Sequence, residues 1–78
     1  MNNFNECMKL VGNTPLVNYK DNIYAKFECY NPTGSIKDRI VFYIFKHGID
    51  NNLIDINNTR VIEASSGNTG ISVSFVSS

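Results

Sequence analysis

Tryptophan is missing from this chain of 78 residues, and there are two prolines and two cysteines. No apolar run approaches the roughly 20 residues that a membrane-spanning helix needs. Neither sign of charge is in excess, since seven basic residues balance seven acidic ones. That balance removes the field that would draw the chain to nucleic acid or to an anionic bilayer. Cys7 and Cys29 lack CxxC spacing and have no His cluster nearby, which speaks against a zinc site. The opening residues have neither the basic start nor the apolar stretch of a signal peptide. The expectation is therefore a cytoplasmic chain with free thiols, in which the formal sequon Asn57-Asn58-Thr59 has no meaning. The nucleotide-binding pattern GxxxxGK(S/T) is also absent. Seventy-eight residues make one small domain at most, and a domain of that size is marginally stable.

What is present is a clear alternation of elements. Gly12-Asn13-Thr14-Pro15 is a turn signal ahead of a short strand over residues 16–19. Lys20-Asp21-Asn22 reads as a tight connection to a second strand over 23–30, where Lys26 and Glu28 alternate with apolar neighbours. The two strands are expected to pair as a hairpin. Asn31-Pro32-Thr33-Gly34 turns the chain, Ser35 is placed as an N-cap, and Asp38 follows three residues later as an acidic capping-box partner. A helix is expected over 36–46. It is apolar nearly all round and so is expected to be buried on more than one side, with Gly48 as its C′ residue. An Asn-rich connection leads to a brief strand over 60–64, a turn over 65–70, and a second apolar helix that begins near Thr69. The order β-β-α-β-α points to an α/β fold.

Two segments carry chemistry. Lys37 stands in the first turn of the 36–46 helix, where the helix's partial positive charge disfavours an ammonium and favours a free amine. A free amine attacks an aldehyde, which is how lysine forms Schiff bases with pyridoxal phosphate. Spacing alone leaves open a solvated lysine whose stem covers the helix start. Asp38 and Arg39 read as capping and packing partners. The second segment, Ser65-Ser66-Gly67-Asn68-Thr69, sets hydroxyls and backbone N–H groups at a helix start. Such a turn can receive an anion, a carboxylate being the natural guest, although taken alone these residues read first as ordinary N-capping by Ser and Asn.

Taken together, these segments resemble the cysteine synthase family, pyridoxal-phosphate enzymes of the tryptophan synthase β-like, or fold type II, group. The resemblance runs over residues 10–75. It is carried by Val11-Gly12-Asn13-Thr14-Pro15-Leu16-Val17, by Tyr24-Ala25-Lys26-Phe27-Glu28 through Asn31-Pro32-Thr33-Gly34-Ser35-Ile36-Lys37-Asp38-Arg39 and by Val61-Ile62-Glu63-Ala64-Ser65-Ser66-Gly67-Asn68-Thr69-Gly70. It implies that Lys37 holds pyridoxal 5′-phosphate as an imine and then takes the substrate's α-proton. It implies that Asn68 hydrogen-bonds the cofactor's 3′ oxygen, and that Ser65, Ser66, Gly67, Asn68 and Thr69 hold the carboxylate of a small amino-acid substrate. The family loop more often has Thr where this chain has Ser65. Family members replace the leaving group of an O-activated serine with sulfide, in cysteine biosynthesis, and work as homodimers.

The same resemblance implies a fragment. The family is several times longer than 78 residues, and its glycine-rich phosphate loop lies downstream of the matched motifs. Residues 1–78 are therefore expected to be the N-terminal part of such an enzyme domain, incomplete as an independent domain and inactive alone. Two other readings stand beside this one. The first is a non-catalytic fragment or interaction module using the exposed apolar helix. The second is a cystathionine β-synthase-like or serine/threonine dehydratase-like lyase, although the dehydratase branch more often has His after the loop Asn and lacks the Lys-Asp-Arg run.

Overall fold

The computed structural model describes residues 3–78. A short helix α1 (Phe4–Met8) precedes an antiparallel hairpin of β1 (Leu16–Lys20) and β2 (Ile23–Lys26). A single 3-10 turn (Glu28–Tyr30) leads to α2 (Lys37–Asp50), and α3 (Asn68–Ser77) follows a long connection. This mixture of helix and paired strand is a partial α/β fold.

The hairpin forms as the pattern demands. Leu16 pairs with Lys26, Val17 with Ala25 and Asn18 with Tyr24, and the register slips between Asn18 and Lys20. Asp21 takes a left-handed φ of 50° at the bend, a conformation that Asp tolerates better than most residues. Both strands are largely exposed. A lone two-stranded ribbon is marginal in water, and this one is tied to its flanks by Phe27 N–H donating to the Pro15 carbonyl at 2.9 Å.

The core lies in the helices. Phe42 is fully buried, with Phe4 stacked on it at 5.7 Å and Phe75 tilted against it at 6.2 Å. Val41, Phe45 and Val76 complete the buried cluster. The contribution of α1 has no counterpart in the sequence pattern: five residues carry too little periodicity to announce a helix, yet Phe4 is one of the core's aromatic rings.

Four sequence expectations are corrected. The strand expected over 23–30 stops at Lys26, because Glu28 and Asn31 turn inward to polar partners and the chain coils into the 3-10 turn. The helix expected over 36–46 continues to Asp50, so Gly48 lies inside it. Gly48 serves close packing there: a Cβ on it would come within 2.5 Å of Ile54 Cδ1. Asn52, with φ 58°, takes the left-handed position at the helix end instead. Residues 60–64 form no strand among the described residues; they are exposed and pair with neither strand of the hairpin. Finally, α2 buries one side rather than several. Val41, Phe42, Phe45 and Gly48 face the core, whereas Ile36, Ile40, Tyr43 and Ile44 are each more than half exposed.

The packing of α2 on α3 positions the two motif segments. Asp38 meets Ser72 and, one turn further along both helices, Phe42 meets Phe75. The two helices therefore run in the same direction, and their N-terminal ends lie at the same end of the pair.

Candidate functional site

The lysine turn is built from short-range polar contacts. Gly34, with φ 96°, closes a turn by donating its N–H to the Asn31 carbonyl at 2.9 Å. Ser35 Oγ accepts the Lys37 N–H at 3.2 Å, so Ser35 does cap the helix, although Ile36 already has helical dihedrals. The expected capping-box reciprocity is absent, because the Asp38 carboxylate is used elsewhere. Lys37 is the first residue of α2 and is half-buried. Among the described residues its ammonium has neither an ion pair nor a hydrogen bond.

Asp38 is fully buried. Its Oδ2 accepts the Thr33 N–H at 2.6 Å, and its Oδ1 accepts the hydroxyls of Thr33 and Ser72, each at 2.6 Å. The two hydroxyl oxygens lie 3.4 Å apart. A hydroxyl has a single proton to donate, and Thr33 and Ser72 each direct theirs at Asp38 Oδ1. Ser72 is fully buried on α3, one turn beyond Asn68. This cluster is therefore a direct polar link between the lysine turn and the helix that starts at the Ser-Gly-Asn loop.

Arg39 faces a second network. Its Nε donates to Glu28 Oε1 at 2.5 Å and its Nη2 to Glu28 Oε2 at 3.1 Å and to Thr14 Oγ1 at 3.3 Å. Thr14 Oγ1 in turn hydrogen-bonds Glu28. Asn31 Nδ2 donates to Glu28 Oε1 at 3.1 Å, and Asn31 Oδ1 accepts the Gly12 N–H at 2.7 Å. Gly12 has φ 78°, and a Cβ there would sit 2.8 Å from Arg39 Nη1, so both its dihedral and its lack of a side chain are used. The turn at residues 12–14, the end of the hairpin and the lysine helix are thus fastened through one carboxylate.

That carboxylate is held well below its usual range. The Arg39 guanidinium, seconded by the Thr14 hydroxyl, lowers the Glu28 pKa from 4.5 to about 2. A carboxyl whose folded value is depressed stabilises the fold above its ordinary value and loses that contribution as pH falls toward the folded one. Stability is therefore expected to decline between pH 4.5 and about 2 as Glu28 is protonated. Asp55, lowered by its hydrogen bond from Asn58, acts in the same direction. Urea midpoints measured across this window should fall in the parent chain and fall less steeply in Glu28→Gln, which separates the Glu28 share.

At the other segment, Ser65, Ser66, Gly67 and Asn68 are exposed and Thr69 is half-buried. The Ser65 hydroxyl accepts the N–H groups of Gly67 at 3.3 Å and of Gly70 at 3.1 Å, which caps α3 from within the loop. None of the described hydrogen bonds uses the side chains of Ser66, Asn68 or Thr69. Ser65, Ser66, Gly67, Gly70 and Ile71 line an open hollow at this end of α3. Lys37 makes no direct hydrogen bond to the loop; its chain neighbour Asp38 is the residue that meets α3, through Ser72, where the two helices run parallel. Aligned helix starts concentrate partial positive charge at one place.

Glu28, Thr33 and Ser72 carry this arrangement and were not singled out from the sequence. A faint signal exists for Ser72, a hydroxyl in the middle of the apolar run Ile71-Ser72-Val73. No helix among the described residues is long and apolar enough to cross a membrane. Both cysteines are free thiols.

Comparison with known proteins agrees with the motifs. The family described as pyridoxal-phosphate dependent enzyme matches residues 8–78. Cysteine synthase B of Campylobacter jejuni is 44% identical over 71 residues, covering 87% of this chain and 23% of that protein. The chain thus spans about a quarter of the length of this curated relative.

Proposed function

The chain belongs to the pyridoxal-phosphate dependent enzymes, and on that footing we propose that it is the N-terminal part of a cysteine synthase-like enzyme that replaces the leaving group of an O-activated serine with sulfide. The observation that supports the reading is Lys37, a half-buried residue whose side chain has no polar partner among the described residues and which directly precedes the Asp38 that meets Ser72 of α3. A primary amine in that setting fits the aldehyde end of pyridoxal phosphate. When bound, that group supplies an electron sink for the substrate's α-carbon.

The residues of this chain divide the remaining work. Lys37 Nζ would hold the cofactor and would be the base that takes the substrate's α-proton. The Asn68 side-chain amide offers a donor to the cofactor's ring oxygen. The substrate carboxylate is received by the loop of Ser65, Ser66, Gly67, Asn68 and Thr69. Because the Ser65 hydroxyl already engages Gly67 and Gly70, the hydroxyls of Ser66 and Thr69 and the first-turn amides of α3 are the donors left for it. In the assembled enzyme, by analogy with the family, two copies form a cytoplasmic homodimer.

The test is a chimera in which residues 8–78 replace the matching segment of the Campylobacter jejuni cysteine synthase B. The chimera is expected to take up pyridoxal phosphate with a visible imine absorbance and to form cysteine from O-acetylserine and sulfide. A folded chimera that binds no cofactor would overturn the reading. The 78 residues alone, offered pyridoxal phosphate, are expected to show no such band specific to Lys37.

A further inference from the structure

Asp38 is a fully buried carboxylate that the proposed chemistry does not use, and its three donors come from two separate parts of the chain. Two of them, the N–H and hydroxyl of Thr33, belong to the lysine turn. The third, the Ser72 hydroxyl, lies 34 residues away in sequence on α3. Asp38 follows Lys37 directly in the chain. Ser72 stands four residues after Asn68, which is about 6 Å along a helix axis. We propose that Asp38 and Ser72 are positioning residues, a buried joint that sets the lysine-bearing start of α2 at a fixed offset from the anion-receiving start of α3.

The physical case rests on what the apolar contacts cannot do. Phe42 against Phe75 and Val76 against the core hold the two helices together, but the hydrophobic effect is non-directional and does not by itself name one register. The Ser72 hydroxyl donating to a carboxylate that Thr33 already holds does name one, because a slide leaves that buried donor unmet. Ser72 lies in the register that the joint requires, and its neighbour Ser74 is exposed. What the joint positions is taken from the proposed function; that a joint exists is independent of it.

The test uses the 78-residue chain with Cys7→Ser and Cys29→Ser, and nitroxide labels on Ile40→Cys and Ile71→Cys, both native side chains being about half exposed. Dipolar broadening reports the distribution of distances between α2 and α3, and circular dichroism reports helix content. Ser72→Ala is expected to give a distribution about twice as broad at unchanged helix content. Ser72→Thr, which keeps the hydroxyl, is expected to restore the parent width, and Ser74→Ala to match the parent. Parent width in folded Ser72→Ala, or equal broadening in Ser74→Ala, overturns the proposal. If Ser72→Ala loses its helices while Ser72→Thr keeps parent width, the joint is upheld; loss of helix in both Ser72→Ala and Ser74→Ala contradicts it. No cofactor enters these measurements. A sound joint in a chain whose chimera takes up no pyridoxal phosphate would fault the chemistry alone, and the reverse result would fault the joint alone.

Discussion

Replacing Lys37 by Ala in the chimera is expected to abolish the visible imine absorbance and to lower turnover by at least about 10³-fold. The amine would serve twice, as the covalent hold on the aldehyde and as the base at the substrate's α-carbon, and general-base catalysis alone contributes about 10²–10⁴-fold. The side chain has no ion pair or hydrogen bond among the described residues, so its removal should leave stability within about 0.5 kcal/mol of the parent. Loss of activity without loss of melting temperature would therefore mark a chemical role. Lys37→Arg sharpens the result. Arginine keeps the positive charge and the long stem but forms no such imine, so it should fail as completely as alanine. An active Lys37→Arg chimera would reduce Lys37 to the solvated lysine that spacing alone permits.

Asp38→Ala is expected to cost the isolated chain most or all of its cooperative fold. Truncation removes an acceptor and leaves the Thr33 N–H, the Thr33 hydroxyl and the Ser72 hydroxyl without their partner, in a site closed to water. Leaving a buried donor unmet costs about 1–3 kcal/mol for each group, and three are left unmet here. A single core in a chain of this length supplies about 3–5 kcal/mol. The comparison decides the outcome: the summed loss reaches the reserve, so the variant should show no unfolding transition in urea. Ser72→Ala removes one hydrogen bond of three and should cost about 1–3 kcal/mol, leaving a measurable midpoint. A cooperative Asp38→Ala transition within about 1 kcal/mol of the parent would mean that apolar packing alone holds α2 on α3.

The sequence shows these residues unevenly, for physical reasons. The hairpin was legible because Lys26 alternates with its neighbours and Asp21-Asn22 marks the bend. The lysine helix was legible because Ser35 supplies a cap and a long apolar run follows. The motif segments were legible because their residue types recur in one family of enzymes, which the comparisons bear out. What stayed hidden depends on partners distant in sequence. Glu28 looks like the outward residue of a strand until Arg39, 11 residues on, claims it and bends the chain into the 3-10 turn. Gly48 looks like a helix stop until Ile54 fills the space that its missing side chain leaves. Residues 60–64 have strand chemistry, but strand formation needs a neighbouring edge, and no local pattern states whether one is there. Asp38 looks like a first-turn capping residue, and one of its three donors lies 34 residues away.

The exposed face of α2 belongs to the same lesson. Ile36, Ile40, Tyr43 and Ile44 follow helical spacing on the side away from Phe42. The apolar residues were correctly assigned to a helix, whereas burial on every side requires layers that the described residues do not provide.

One measurement bears most directly on the role given to Lys37. The chimera is loaded with pyridoxal phosphate, reduced with borohydride, digested, and its peptides are weighed. The account predicts a pyridoxyl mass on the peptide containing Lys37 and on no other lysine of residues 8–78. A stoichiometric label on Lys26, Lys46 or any other site, with Lys37 unmodified, would contradict it.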